Sequence, residues 1–495
     1  MHQSRETLDS MAAEELAVLQ GRELSAKDRG RIPAQEMPTQ DPHERIHNMN
    51  EVATGYTDNQ VRLEASRCLQ CKNKPCVQGC PVSIDIPGFI AKAAVGDYAG
   101  ATEVIKQSSL LPAICGRVCP QENQCQKYCT VGKLHKDVDQ AVAIGRIERF
   151  VADWTRENGC DTLPEVASAT GKKVAVVGSG PASIAAAADL RRAGHEVVMF
   201  EALHKAGGVL VYGIPEFRLP KAIVQKELDN LAAMGVRIEL DFLVGRTRKL
   251  TDLLSQDGFS AVFVGSGAGL PKFMGIPGEN YIGVFSANEY LTRSNLMKAY
   301  ARGESHTPLF ESHKVAVFGG GNVAMDAART ALRLGAEEVT IVYRRTEVEM
   351  PARKEEVAHA KEEGVRFLYL HAPLKIVGND KGRVEGVELI TCELGEADAS
   401  GRRSPVEISG TERIEAFDTV IVAIGNASNP LIKQTTPEIE TNRRGNFIVN
   451  EETCETSMPG VYAGGDIVLG AATVILAMGQ GRKAAKAMNE YLSKL

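Results

Sequence analysis

Eight of the eleven cysteines of this chain fall between Cys68 and Cys129, and that crowding constrains the fold more than any other feature. In a reducing compartment such a block means metal or redox chemistry rather than disulfides. The first group reads Cys68-x2-Cys71-x4-Cys76-x3-Cys80-Pro81, and the second Cys115-x3-Cys119-Pro120-x5-Cys125-x3-Cys129. A [4Fe–4S] cube needs ligands converging from several directions. Short spacings wrap three cysteines around one cube, and the cysteine before a proline reaches the neighbouring one. Structural zinc favours paired CxxC knuckles, whereas one CxxC and two Cys-Pro pairs occur here. The block therefore reads as two [4Fe–4S] sites. Its partition stays open, because eight thiols supply two four-cysteine sites while Cys115 stands just ahead of the ligand-like Cys119. Cys160, Cys392 and Cys454 are scattered and read as buried small hydrophobes.

A length of 495 residues leaves room for about three domains. The 57 basic and 63 acidic residues give a net charge of −6, so no electrostatic footprint for nucleic acid or an anionic membrane is visible. No apolar run approaches the roughly 18 residues of a membrane span. Residues 1–30 are charged and lack an apolar h-region, so they do not read as a secretory leader. The expected compartment is the cytoplasm. Residues 1–40 read as a polar extension with a helix near Met11–Gln20. Residues 41–165 read as a helical domain, with helices near Ile86–Val95, Tyr98–Ser108 and Val142–Trp154 between cysteine-bearing loops. From Lys173–Val177 the pattern becomes strand, glycine turn, helix, strand, which signals a parallel α/β sheet. It restarts at Lys314–Phe318. Strand Thr419–Ala423 and the segment Gly460–Leu495 read as a return to the first unit, which would make the second an insertion.

In Val174-Ala-Val-Val-Gly-Ser-Gly-Pro-Ala-Ser183, Gly178 permits a tight turn. Gly180 lets backbone amides approach a pyrophosphate at the positive end of the helix opened by Pro181 and Ala182. Ser183 takes the third glycine position. Strand Glu196–Glu201 ends in a carboxylate about 20 residues on, which suits a free ribose and repels a 2′-phosphate. The second unit repeats the turn with Gly319 and Gly321, followed by Asn322, Val323 and Asp326. Its second strand, Glu338–Tyr343, runs instead into Arg344 and Arg345, whose guanidinium forks match a 2′-phosphate. The Glu-ended unit is thus expected to hold FAD and the Arg-ended unit NADPH. Gly460-Val-Tyr-Ala-Gly-Gly-Asp466 then runs from strand to turn ahead of a helix, Ala472–Leu492. Asp466 is placed for a ribityl chain, and the helix N-terminus faces the N1/O2 edge of the flavin. The expected architecture is α/β: a helical iron–sulfur domain, an FAD domain (170–300 and 415–495) and an NADPH domain (301–414) inserted in it.

From about residue 36 the chain resembles the glutamate synthase small-subunit family. The likeness rests on the cysteine block, Gly207-Gly-Val-Leu-Val-Tyr-Gly-Ile-Pro-Glu-Phe-Arg-Leu-Pro220, Gly319–Asp326 and Ala463–Asp466. Glu201–His204, Ser286–Glu289 and Asn295–Tyr300 are closest to the large FAD-bearing subunits of NADH-dependent reduced ferredoxin:NADP oxidoreductase. That branch is also labelled homotetrameric NADPH glutamate synthase. The N-terminus of dihydropyrimidine dehydrogenase is similar too. The resemblance implies one cluster on Cys68, Cys71, Cys76 and Cys129, and another on Cys80, Cys119 and Cys125 with an oxygen from the downstream helix. In this sequence Glu148 holds that place. It also implies FAD contacts from Gly208, Leu210, Arg218, Gly465, Ala472 and Thr473. Ser183 is the departure from the family pattern.

Hydride and electron transfer is carried by cofactors that the protein orients and tunes, so no single catalytic residue stands out. The leading expectation is an NADPH-dependent flavin/iron–sulfur subunit. It would bifurcate electrons between ferredoxin and NAD through a smaller ferredoxin-NADP reductase-like flavoprotein. One alternative is the NADPH-oxidising small subunit of glutamate synthase, which would need a large partner. The other is a zinc-bearing, redox-silent NADP(H)-binding regulator.

Overall fold

The computed structural model describes residues 3–301, 303–308, 310–397 and 401–495. Its N-terminal part is helical because stretches with an apolar stripe begin at side-chain caps. Thr57 and Gln60 cap helix Asp58–Ser66 reciprocally, and Asp97 accepts from Gly100 N at the start of Tyr98–Lys106. Helix Arg5–Leu19 buries Leu8 and Ala12, so the polar extension is docked. Ile147 and Val151 of helix Ile144–Glu157 close the core with Phe89, Ile90 and Tyr98. The Tyr98 ring meets Phe150 and Trp154 edge-on at 5.0 and 5.3 Å between centroids. Helix Pro112–Val118 crosses Ile144–Glu157 so tightly that a Cβ on Gly116 would lie 2.6 Å from Arg149 N. Only glycine fits there, and the crossing brings the Cys119 loop to Glu148.

Two parallel five-stranded sheets follow, whose inner strands are continuous buried apolar runs while the edge strands Arg237–Glu239 and Arg366–Tyr369 are partly exposed. The first has the order Val461–Ala463, Ala261–Val264, Lys173–Val177, Glu196–Phe200, Arg237–Glu239. Its outer strand comes from the far end of the chain, so the second unit is an insertion. The second sheet has the order Val284–Ser286, Thr419–Val422, Lys314–Phe318, Glu338–Tyr343, Arg366–Tyr369. This corrects the expected boundaries. Thr419–Val422 does not return to the first unit but pairs with Lys314–Phe318, and Val284–Ser286, placed with 170–300, joins it. Parallel strands pair across long connections, so an apolar run alone carries no record of its neighbour. An antiparallel sheet of His371–Gly378, Val384–Ala397, Arg403–Glu407 and Arg413–Ala416 is an addition to the second unit that the sequence reading does not anticipate. The alanine-rich helix Pro181–Arg192 and the C-terminal helix Val474–Leu492 approach until a Cβ on Gly481 would lie 2.1 Å from Ala182 O.

Candidate functional site

The first glycine turn bends at Gly178, where φ is +92° and a Cβ would lie 2.5 Å from Gly265 O. Gly180 faces open space, with Pro181 opening the helix and Ala182 and Ser183 buried on it. Gly208 (φ +55°) brings the next loop so near that a Cβ would lie 2.9 Å from Gly180 Cα. Leu210 is buried in the core behind that loop. Ser183 Oγ donates to Gly265 O at 3.5 Å. The buried Glu201 accepts from Ser179 Oγ and, at 2.8 Å, from Leu203 N. Ser179 Oγ accepts from Gly207 N at 2.8 Å. Across the turn, Gln480 Oε1 accepts from Gly465 N at 2.7 Å. Sequence reasoning misses Ser179 and Gln480, although each sits between the glycines of a recognised motif. Asp466 Oδ1 accepts from Ala472 N at 3.2 Å, and Thr473 caps the last helix. Burial pushes the Asp466 carboxyl up to about 6, against the pull of that N–H.

Cys68, Cys71, Cys76 and Cys129 line one cavity with Ile86, Ile90 and Val142. Burial pushes the Cys68 thiol up to about 11 and Cys76 up to about 12. Deeper in the fold, Cys80, Cys119 and Glu148 lie close enough for their charges to act on Cys125. Cys119, Cys125 and Glu148 are buried. Burial alone pushes Glu148 up to about 8, and its Oε1 has no hydrogen-bond partner. A buried carboxylate oxygen left without a donor is costly unless a cation answers it. Cys115 is fully buried, and its carbonyl oxygen accepts from Cys119 N at 3.1 Å. Among the described residues no three Cys, His, Asp or Glu side chains are grouped to hold a single ion. A cube spreads its ligands wider, one to each iron, and these two donor sets fit two such groups. The deeper set lies against the first cradle. Gln124 Nε2 donates to Thr473 Oγ1 at 3.4 Å, and Gly479 packs on Pro81 and Val82. Cys392 and Cys454 are buried as expected, but Cys160 is exposed at the end of the domain.

At the second turn a Cβ on Gly319 (φ +147°) would lie 2.3 Å from Ala423 O. Gly321 caps helix Asn322–Arg333, and Val323 is exposed beside it. Arg344 is exposed at the strand end. Arg345 turns inward, and its Nε donates to Arg403 O at 2.6 Å. Arg218 and Asp326, assigned from sequence to different cofactors, are brought together instead. Arg218 Nη1 donates to the two Asp326 oxygens at 2.7 and 2.6 Å, and its Nε lies 3.0 Å from Glu356. A carboxylate buried in a helix between two domains needs a cation at once, so this pair joins the two units.

Residues 45–160 match the family profile of dihydropyrimidine dehydrogenase domain II, 4Fe-4S cluster, and residues 172–487 match pyridine nucleotide-disulphide oxidoreductase. The glutamate synthase [NADPH] small chain of Escherichia coli K12 is 38% identical over 448 residues, 89% of this chain and 93% of that one. The chain belongs to the glutamate synthase small-chain family. The NADP(+)-dependent formate dehydrogenase subunit beta of Moorella thermoacetica is 40% identical over 84% of this chain and 60% of that one. FprA from Mycobacterium tuberculosis shares the two-dinucleotide fold, with TM-score 0.54 and 21% identity over 65% of this chain and 85% of that one. As a family member the chain is an iron–sulfur flavoprotein NADPH oxidoreductase, with FAD, NADP(H) and [4Fe–4S] cofactors. Its relatives are chains of multi-subunit enzymes, which implies a partner subunit. No described helix is long and apolar enough to cross a membrane.

Proposed function

We propose that this family member links NADPH oxidation at FAD to a line of two clusters, and bifurcates electrons between ferredoxin and NAD through a smaller flavoprotein partner. One observation carries the reading. The Cys80, Cys119, Cys125 and Glu148 set lies against the Thr473 end of the flavin cradle, and three of the other four cysteines, Cys68, Cys71 and Cys76, are part-exposed, with Cys129 buried behind them. FAD would rest on Gly178, Gly180 and Gly208, with Glu201 taking the ribose and Asp466 the ribityl chain. NADPH would rest on Gly319, Gly321 and Asn322, with Arg344 taking the 2′-phosphate. When bound, FAD exchanges hydride with nicotinamide and single electrons with iron–sulfur centres. A hydride carries two electrons and a cube accepts one, so FAD would release them singly, and in this reading one goes to the cluster line and the other to the flavoprotein partner.

The outer cluster's surroundings favour ferredoxin as that outlet. Lys72, Lys74, Lys127 and Lys133 are exposed around Cys71 and Cys129 beside the partly exposed Tyr128, a surface that suits an acidic carrier. Eleven cysteines with no disulfide among them suit a reducing cytoplasm. The test is anaerobic isolation of the native protein with its partner. Ferredoxin should be reduced by NADPH only while NAD is present. Reduction indifferent to NAD, or a glutaminase-bearing large chain as the partner, would overturn the proposal in favour of the glutamate synthase reading.

A further inference from the structure

We infer that Arg353, a residue of the NADPH-binding unit, is a positioning residue that sets the redox potential of the deeper cluster from outside the cluster's own domain. The inference rests on assigning Cys80, Cys119, Cys125 and Glu148 to that cluster. The Arg353 side chain is nine-tenths buried. Its backbone N–H donates to Asn322 Oδ1 at 2.9 Å, at the first residue of the helix that follows the second glycine turn. Ala352 N donates to Gly320 O at 3.2 Å, so the segment is tied to that turn twice. The guanidinium then leaves its unit. Nη1 donates to Arg117 O at 2.8 Å and Nη2 to Gln121 Oε1 at 3.0 Å, and these acceptors flank Cys119 on either side.

Gln121 passes the contact on. Its Nε2 donates to Cys115 O at 3.3 Å and Gly116 O at 3.4 Å. It also fills the space that a Cβ on Gly145 would need, one turn before Glu148 on the same helix. One side chain therefore holds both flanks of one ligand and, through Gln121, the helix that carries another. The guanidinium is permanently charged. Glu355 lies 3.0 Å from its Nη2 and Glu122 3.8 Å from its Nε. Reduction adds negative charge to a cube, and a fixed cation beside the ligand loop favours the reduced form.

The experiment is an EPR-monitored redox titration of the holoenzyme with Arg353→Gln and Arg353→Lys, alongside iron analysis. Arg353→Gln should lower the potential of one cluster and leave the other where it was. Arg353→Lys keeps the charge but not the fork, so its shift should be smaller and in the same direction. Unchanged potentials in a variant that retains its iron would overturn the inference. So would equal shifts of both clusters, or loss of iron from both variants, which marks a purely structural role. Wild-type protein with fewer than about eight irons per chain would instead fail the ligand assignment, and the two failures are distinct.

Discussion

In the proposed ligand set Glu148 and Cys115 are the two candidates for one place in the deeper cluster, and single substitutions separate them. Glu148 is the buried group with an unanswered oxygen, whereas the fully buried Cys115 is packed in the apolar core. Glu148→Ala should lower the iron content from about eight toward four per chain, and Cys115→Ser should leave both clusters in place. Glu148→Cys should keep the cube with a shifted potential, since thiolate replaces a harder donor. The reverse pattern in iron counts and low-temperature EPR would restore the all-cysteine partition. In the proposed NADPH site, nucleotide choice also comes down to one side chain. In the bend that follows Tyr343, Arg344 is exposed while Arg345 is fixed on Arg403 O. Losing a charge-assisted bond worth about 1.5–3 kcal/mol, Arg344→Ala should raise KM for NADPH about ten- to a hundredfold and leave that for NADH nearly unchanged. Arg345→Ala should lower Tm instead. An unaltered KM ratio in Arg344→Ala would remove the 2′-phosphate from that residue.

The elements that build the flavin cradle depend on how closely two helices approach. Gly481→Ala puts a methyl 2.1 Å from Ala182 O if nothing shifts. The C-terminal helix must then move off the dinucleotide helix, at a cost of about 1–3 kcal/mol. The expected result is weaker FAD retention through gel filtration, with less loss of iron. FAD retained at the wild-type level would show that the helices separate without disturbing the cradle. At this scale the sequence was informative where structure is local. The glycine turns, their helices and the strand Glu338–Tyr343 follow from short-range pattern, and the structure has them in place. It was silent where partners are distant. Nothing in Thr419–Val422 says which sheet it joins, and nothing in the composition of Arg218 or Asp326 says that they face each other. Arg353 sits in no motif, because its role arises only when two domains are packed.

Across the whole molecule, the three domains meet at a buried group of charges, and its response to pH follows from the sign of one shift. The fully buried Arg45, from the N-terminal region, donates to Glu363 at 2.7 Å and to Glu362 at 2.8 Å. Arg329 and Arg333 share the Glu363 carboxylate at 2.8 and 2.7 Å. Both guanidinium groups lie over Phe217, from the FAD unit, at 4.8 and 4.0 Å. Burial opposes the Glu363 charge, but Arg329 and then Arg333 outweigh it and hold the carboxyl well below its ordinary 4.5. A carboxyl depressed in the folded state contributes stability that is complete above its unfolded pKa and is lost as pH falls through the folded one. Glu363→Gln removes the common acceptor of three buried cations and should cost about 3–5 kcal/mol at neutral pH. The gap between variant and wild type, followed by circular dichroism in denaturant, should be constant from pH 7 down to about 5. Below the ordinary carboxyl value of 4.5 it should narrow toward pH 3, as the wild type loses what the variant already lacks. A gap of equal size at pH 7 and pH 3 would mean that Glu363 holds the domains by packing rather than by charge.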